Sequence, residues 1–298
     1  MVFQTPTASS DRQATRHFVG RHVQQLPPPR CREGRLRGAR RRRFSRNRPA
    51  PTALLRTLYD FGFLELAEYL LKQILFALRD EIRAGTPVVG LEPSCVAVFR
   101  DELCNLFPHD ADAKRLKDQT YILGEFLEKK APHYQPPKLQ RKALVHGHCH
   151  HKSVLKMKAE EKLLERIGLV CDLPDTGCCG MAGSFGFEAD KYGVSKAVGE
   201  RVLLPAVREA NKDTLIIADG FSCREQIEQL TDRHALHLAQ VLKMARETGP
   251  QGPSANFPER DYLEDQTAGL KPLEIAVIAG AALAATRAVG WLLRSRHD

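Results

Sequence analysis

The sequence predicts an α/β protein of two related lobes, each a set of parallel strands flanked by helices. Three observations predict it. Short apolar runs closed by turn residues alternate with helical periods, the pattern of β-α-β units. The plan is stated twice: Val88-Val89 then Glu92-Pro93-Ser94-Cys95 parallels Ile216-Ile217 then Gly220-Phe221-Ser222-Cys223, and Tyr121 to Leu127 parallels Leu236 to Leu242. Cysteines fall at the C-terminal ends of strands, where such sheets gather ligands.

The elements follow in order. Residues 1–56 read as a disordered leader, with Pro27-Pro28-Pro29, Arg40-Arg41-Arg42-Arg43 and no apolar period. Its first 50 residues carry 13 Arg against Asp11 and Glu33, a net +11, so the remaining chain is −2 although the whole is +9. The globular part therefore lacks the basic footprint of a nucleic-acid binder, and no nucleic-acid partner is expected. No apolar stretch of the kind that opens a secretory signal stands at the start, so a cytoplasmic location is expected.

Residues 57–132 form the first, incomplete repeat. A helix is expected over 63–79, a short strand over 86–93, a helix over 94–104 and another over 118–130. The Pro136-Pro137 region is a linker. Residues 139–246 form the second repeat: a strand at 142–145, an amphipathic helix at 153–167, a strand at 169–173, a helix at 190–210, a strand at 214–218, then helices at 224–230 and 235–244. A Gly- and Pro-containing linker spans 247–272, and an apolar helix is expected over 273–294. Arg287 interrupts that apolar run. It reads either as a helix packed on protein or as a membrane-associated tail at the cytoplasmic face.

Chemistry concentrates at Cys178-Cys179 between Gly177 and Gly180. Adjacent cysteines rarely bridge each other, but their thiolates reach neighbouring irons of one cluster. Of the eight cysteines, Cys149, Cys178, Cys179 and Cys223 lie at strand ends of the second repeat and supply a ligand for each iron of one [4Fe–4S] cluster. Cys95 holds the matching position in the first repeat and is a fifth candidate ligand. Cys104 and Cys171 sit in apolar patterns and read as core thiols; Cys31 lies in the leader. His146, His148, His150 and His151 leave open a zinc site of imidazole and thiolate. Alternatively they line the sulfurs as hydrogen-bond donors, with Lys152 and Arg224 adding positive charge.

His148-Cys149-His150, the run from Gly177 to Gly186 and Asp219-Gly220-Phe221-Ser222-Cys223-Arg224 resemble the cysteine-rich "CCG" domain of iron–sulfur oxidoreductases. The wording most resembles the C-terminal part of FAD-linked 2-hydroxy-acid oxidase or dehydrogenase fusions, and the glycolate oxidase iron–sulfur subunit. The resemblance implies an electron-transfer module that passes electrons from a flavin to an acceptor. It implies an FAD-binding dehydrogenase domain or subunit and a ferredoxin-type iron–sulfur module as partners, with FAD carried there. The chain departs from the family pattern. Gln226 stands where a further cysteine belongs, and Leu54-Leu55-Arg56 stands where the first Cys-Cys-Gly belongs. Leu-Leu-Arg-Thr and Cys-Cys-Gly are one-base frame shifts of the same codons, so the leader is expected to be an out-of-frame reading and the chain a truncated or frameshifted fragment. The competing expectations are a zinc-stabilised interaction domain and an inactive oxidoreductase fragment.

Overall fold

The computed structural model describes residues 2–4, 53–253 and 256–262. The chain divides into one unit, Met1–Pro28 with Arg32–Leu263, and a second, Pro29–Cys31 with Glu264–Asp298. The second unit, the apolar 273–294 segment and all of the leader except its strand and first helix lie outside the described residues.

The first unit is mixed α/β. Strand β1 (Val2–Gln4) pairs antiparallel with β2 (Val88–Gly90), which pairs parallel with β3 (Thr120–Ile122). The second sheet is parallel throughout. Strand β4 (Lys142–His146) lies at its centre, between β5 (Val170–Asp172) and β6 (Leu215–Ala218). Both central strands are buried apart from Lys142 at the start of β4, as expected for sheets covered on their faces.

The helices of the N-terminal half are α1 (Ala53–Asp60), α2 (Leu64–Ala77), α3 (Arg79–Arg83), α4 (Pro93–Arg100), α5 (Glu102–Leu106), α6 (Ala111–Gln119) and α7 (Leu123–Lys130). Those of the C-terminal half are α8 (Lys158–Ile167), α9 (Tyr192–Gly199), α10 (Leu203–Glu209), α11 (Phe221–Leu230) and α12 (Leu238–Thr248), with one π-helical turn at His151–Leu155. Among the described residues no helix is long and apolar enough to cross a membrane.

Several expected helices divide. The 118–130 segment is α6, then β3, then α7, because Tyr121 pairs with Val89 in the sheet and takes the chain out of its helical period. The 153–167 helix breaks at Lys156, whose φ of 71° lies in the left-handed region. The 190–210 helix breaks at Val202, which caps α10 with a φ of −149°.

One core cluster joins the halves. Val89, Tyr121 and Leu127 from the N-terminal half pack with Val145, Leu164 and Ile217 from the C-terminal half. Glu92 reinforces the junction at both helix starts. Its carboxylate accepts from Ser94 N at 3.3 Å, capping α4, and from Phe221 N at 2.7 Å, capping α11. His237 Nε2 and Leu91 O meet at 2.8 Å across the same seam.

Candidate metal centre

Three strand ends deliver the cysteines. Strand β4 runs into His146 and, three residues on, Cys149. Strand β5 leads to the loop carrying Cys178 and Cys179. Strand β6 ends before Gly220, and Cys223 sits in the first turn of α11. Parallel strands put all three ends on one edge of the sheet, so residues more than 70 positions apart meet there.

The four sulfurs are neighbours in a row: Cys149 acts on Cys178, Cys178 on Cys179, and Cys179 on Cys223. Their acidities alternate along it. The bond from Cys149 holds the Cys178 thiol below the usual range, and its bond to Cys178 pushes Cys149 up. The bond from Cys179 likewise lowers Cys223, helped by His146, while Cys179 itself is raised by its bonds to Cys178 and Cys223 and by burial. Thiolates are the ligand form, so metal binding at these sulfurs would release protons.

Further donors surround the sulfurs. Gly180 N donates to Cys178 Sγ at 3.3 Å. His146 is buried, with Nε2 3.2 Å from Cys223 Sγ and Nδ1 2.6 Å from Thr176 Oγ1. Thr176 thus orients the ring that faces the sulfur, the arrangement by which an outer partner fixes an imidazole tautomer. His148 and His150 stack at 5.3 Å, and each Nδ1 lies 3.9 Å from Cys149 Sγ. Burial lowers the pKa of both rings, which favours the neutral imidazole.

Two glycines are required by close approach. Gly180 has a φ of 98°, and a Cβ there would collide with Ser195 O. A Cβ on Gly220 would strike the His148 ring and stand 3.1 Å from Cys223 Sγ. Gln226, at the position of the missing cysteine, is buried and donates to Ser195 O at 3.1 Å and Ser195 Oγ at 3.3 Å. It ties α11 to α9 beside the Cys178-Cys179 loop.

Other expected residues have different surroundings. Cys95, near the start of α4, hydrogen-bonds Ser94 beside Glu92 and Arg56; burial and Glu92 raise its pKa. Lys152 Nζ donates to Gly177 O at 3.2 Å, and Arg224 donates to Ala218 O and Asp219 O at 3.2 and 2.6 Å, so both hold loop carbonyls. His151 turns away from the sulfurs toward Glu160, with 3.7 Å between Nδ1 and Oε2. Thr176 is the supporting residue that the motifs alone did not single out; its signal was its place two residues before Cys178.

The site residues fit an iron–sulfur cluster on the chemistry of the donor set: four convergent sulfurs, two of them biased to thiolate, with N–H donors aimed at them and close-packed glycines clearing the approach.

Comparison with known proteins bears on the same region. The chain is 30% identical over 211 residues to lactate utilization protein A of Geobacillus kaustophilus, covering 65% of this chain and 83% of that protein. It is 30% identical over 165 residues to a subunit of the anaerobic glycerol-3-phosphate dehydrogenase of Escherichia coli, 54% of this chain and 41% of that relative. It is 29% identical over 170 residues to D-2-hydroxyglutarate dehydrogenase of Pseudomonas putida, 56% of this chain but only 16% of that enzyme. The chain therefore spans less than half of the latter two relatives. No protein-family model matches it, and no solved structure matches it.

Proposed function

The chain belongs to the family of CCG-domain proteins of the iron–sulfur oxidoreductase type, and from that premise we propose that it is the electron-transfer module of a flavin-dependent 2-hydroxy-acid dehydrogenase or oxidase. The observation that carries the reading is the convergence of Cys149, Cys178, Cys179 and Cys223 from three strand ends. These four residues hold a [4Fe–4S] cluster, which supplies one-electron transfer when bound. The chain's own groups prepare the place. Cys178 and Cys223 enter as thiolates, His146 and the Gly180 amide donate toward sulfur, and Gly220 keeps side-chain bulk off Cys223. Hydrogen bonds to sulfur favour the more negatively charged state and so raise the reduction potential.

Electrons come from an FAD-binding domain or subunit, through or alongside a ferredoxin-type module, in the cytoplasm. The two halves derive from one duplicated unit. Val89 pairs with Tyr121 just before α7, and Ile217 pairs with Leu236 just before α12, in matching parallel geometry. Cys95 is the remnant of a first site.

A second reading has its own support. Ligand atoms of His148, Cys149 and His150 lie within 4.8 Å of one another, a set suited to zinc. One experiment decides. Anaerobic reconstitution of the full chain is expected to give a brown protein with about four irons and four sulfides, an EPR signal on reduction, and electron uptake from a reduced flavoprotein. A colourless, EPR-silent protein with one zinc on thiolate and imidazole overturns the iron–sulfur reading.

A further inference from the structure

Next to the sulfur row, three ionisable side chains meet that the electron-transfer reading does not use. His151 lies in the π-helical turn, Glu160 on α8, and Asp219 just beyond β6. They are 1%, 2% and 3% exposed, and one ligand atom of each lies within 4.8 Å of those of the other two. His151 Nε2, Glu160 Oε2 and Asp219 Oδ2 are all buried without a hydrogen-bond partner.

Glu160 Oε2 stands 3.7 Å from His151 Nδ1, and the Glu160 and Asp219 carboxyl groups act on each other. Asp219 Oδ1 accepts from Leu238 N at 2.8 Å and stands 3.5 Å from His237 Nε2. Among the described residues, no Lys or Arg forms an ion pair with Glu160 or Asp219; their basic partners are histidines, and the two carboxyl groups also face each other. Two buried carboxylates in this setting demand compensation. A proton held between Glu160 and Asp219 removes one of the two buried charges; a cation bound by both carboxylates and by the His151 nitrogen that faces them offsets both. One imidazole nitrogen with two carboxylate oxygens is the donor chemistry of zinc and its first-row neighbours, not of magnesium or calcium, which take oxygen alone.

We propose that His151, Glu160 and Asp219 form a structural binding site for a divalent first-row transition ion, zinc being the probe. Such an ion ties together two segments that end in the sulfur row: His151 is two residues past Cys149 and Asp219 four before Cys223. It clamps both to α8, where Gly124 of α7 closes from behind, a Cβ there standing 3.1 Å from Glu160 Cα. The proposal is independent of what the four sulfurs hold.

The test uses the full chain, loaded anaerobically with iron and sulfide, then dialysed against zinc and desalted. The wild type is expected to keep one more zinc per chain than Glu160→Gln. The X-ray absorption of that extra zinc is expected to show a nitrogen and oxygen shell at about 2.0–2.2 Å rather than sulfur near 2.3 Å. Asp219→Asn serves as the second variant, and thermal stability is expected to rise with zinc in the wild type but not in either variant. Equal zinc in wild type and both variants overturns the proposal. Should neither variant fold, a wild-type zinc spectrum with sulfur alone, or no retained zinc, overturns it. Iron and sulfide contents report separately on the sulfur row, so the two readings fail independently.

Discussion

The two halves of the molecule share a plan and differ in equipment. In each, a buried strand runs into a turn and then a helix that begins beside a Ser-Cys pair, Ser94-Cys95 on α4 and Ser222-Cys223 on α11. In the C-terminal half the pair faces Cys179 and His146, and the Cys223 thiol is held acidic. In the N-terminal half the neighbours of Cys95 include Arg56, paired to Asp60 at 2.8 Å and to Glu102, and the Cys95 thiol is pushed up by burial and Glu92. On the proposed duplication, backbone architecture survives loss of the ligand set, because the strands and helices rest on apolar packing. The chemistry does not survive it, because it depends on a few side chains at the strand ends.

The comparison breaks most completely at the sulfurs. Cys149→Ser and Cys223→Ser are each expected to abolish stable iron uptake, measured as iron and acid-labile sulfide, whereas Cys95→Ser leaves both unchanged. Full iron content in Cys223→Ser would put the two strand-end cysteines on the same footing. Next is Gly180→Ala, which places a Cβ against Ser195 O at a left-handed φ. It is expected to cost about 3 kcal/mol in denaturant unfolding, while Gly85→Ala, equally left-handed but with open space around it, costs about 1 kcal/mol.

His146→Ala removes a donor to Cys223 and leaves the Thr176 hydroxyl unpaired. It is expected to cost about 1–3 kcal/mol and to make the midpoint potential of the reconstituted protein more negative; an unchanged potential would deny His146 its proposed role. In the metal-free chain at pH 7, iodoacetamide is expected to label Cys178 well before Cys95. A lowered pKa leaves thiolate at that pH and a raised one leaves thiol, and the order converges only as pH rises above the Cys95 value. The smallest effect belongs to Arg56→Gln. Its pair with exposed Asp60 contributes little and that with Glu102 somewhat more, so about 1 kcal/mol is expected, with iron content unchanged.

Much of this was legible in the chain itself. Adjacent cysteines flanked by glycines, a third cysteine after an apolar strand and a fourth behind Gly220 stand out in any reading. What escaped has a physical cause. Thr120–Ile122 belongs to a helical period on both sides and becomes a strand only through pairing with Val88–Gly90. Lys156 breaks a helix with a left-handed φ that no local pattern announces. His151 looked like one more ligand of the sulfur site, yet it faces Glu160 and Asp219.

By itself the amino-acid order determined the alternation of strands and helices, because hydrophobic period and turn residues are local properties. It also singled out Cys149, Cys178, Cys179 and Cys223 as the candidate ligands, because cysteine placement in such turns has few other physical uses. Only the tertiary structure decided which histidine meets which partner, that Gln226 ties α11 to α9 instead of ligating, and that two buried carboxylates from distant segments face one imidazole. Those facts depend on distances between residues up to 77 positions apart, and parallel packing of strands, not neighbouring sequence, sets such distances.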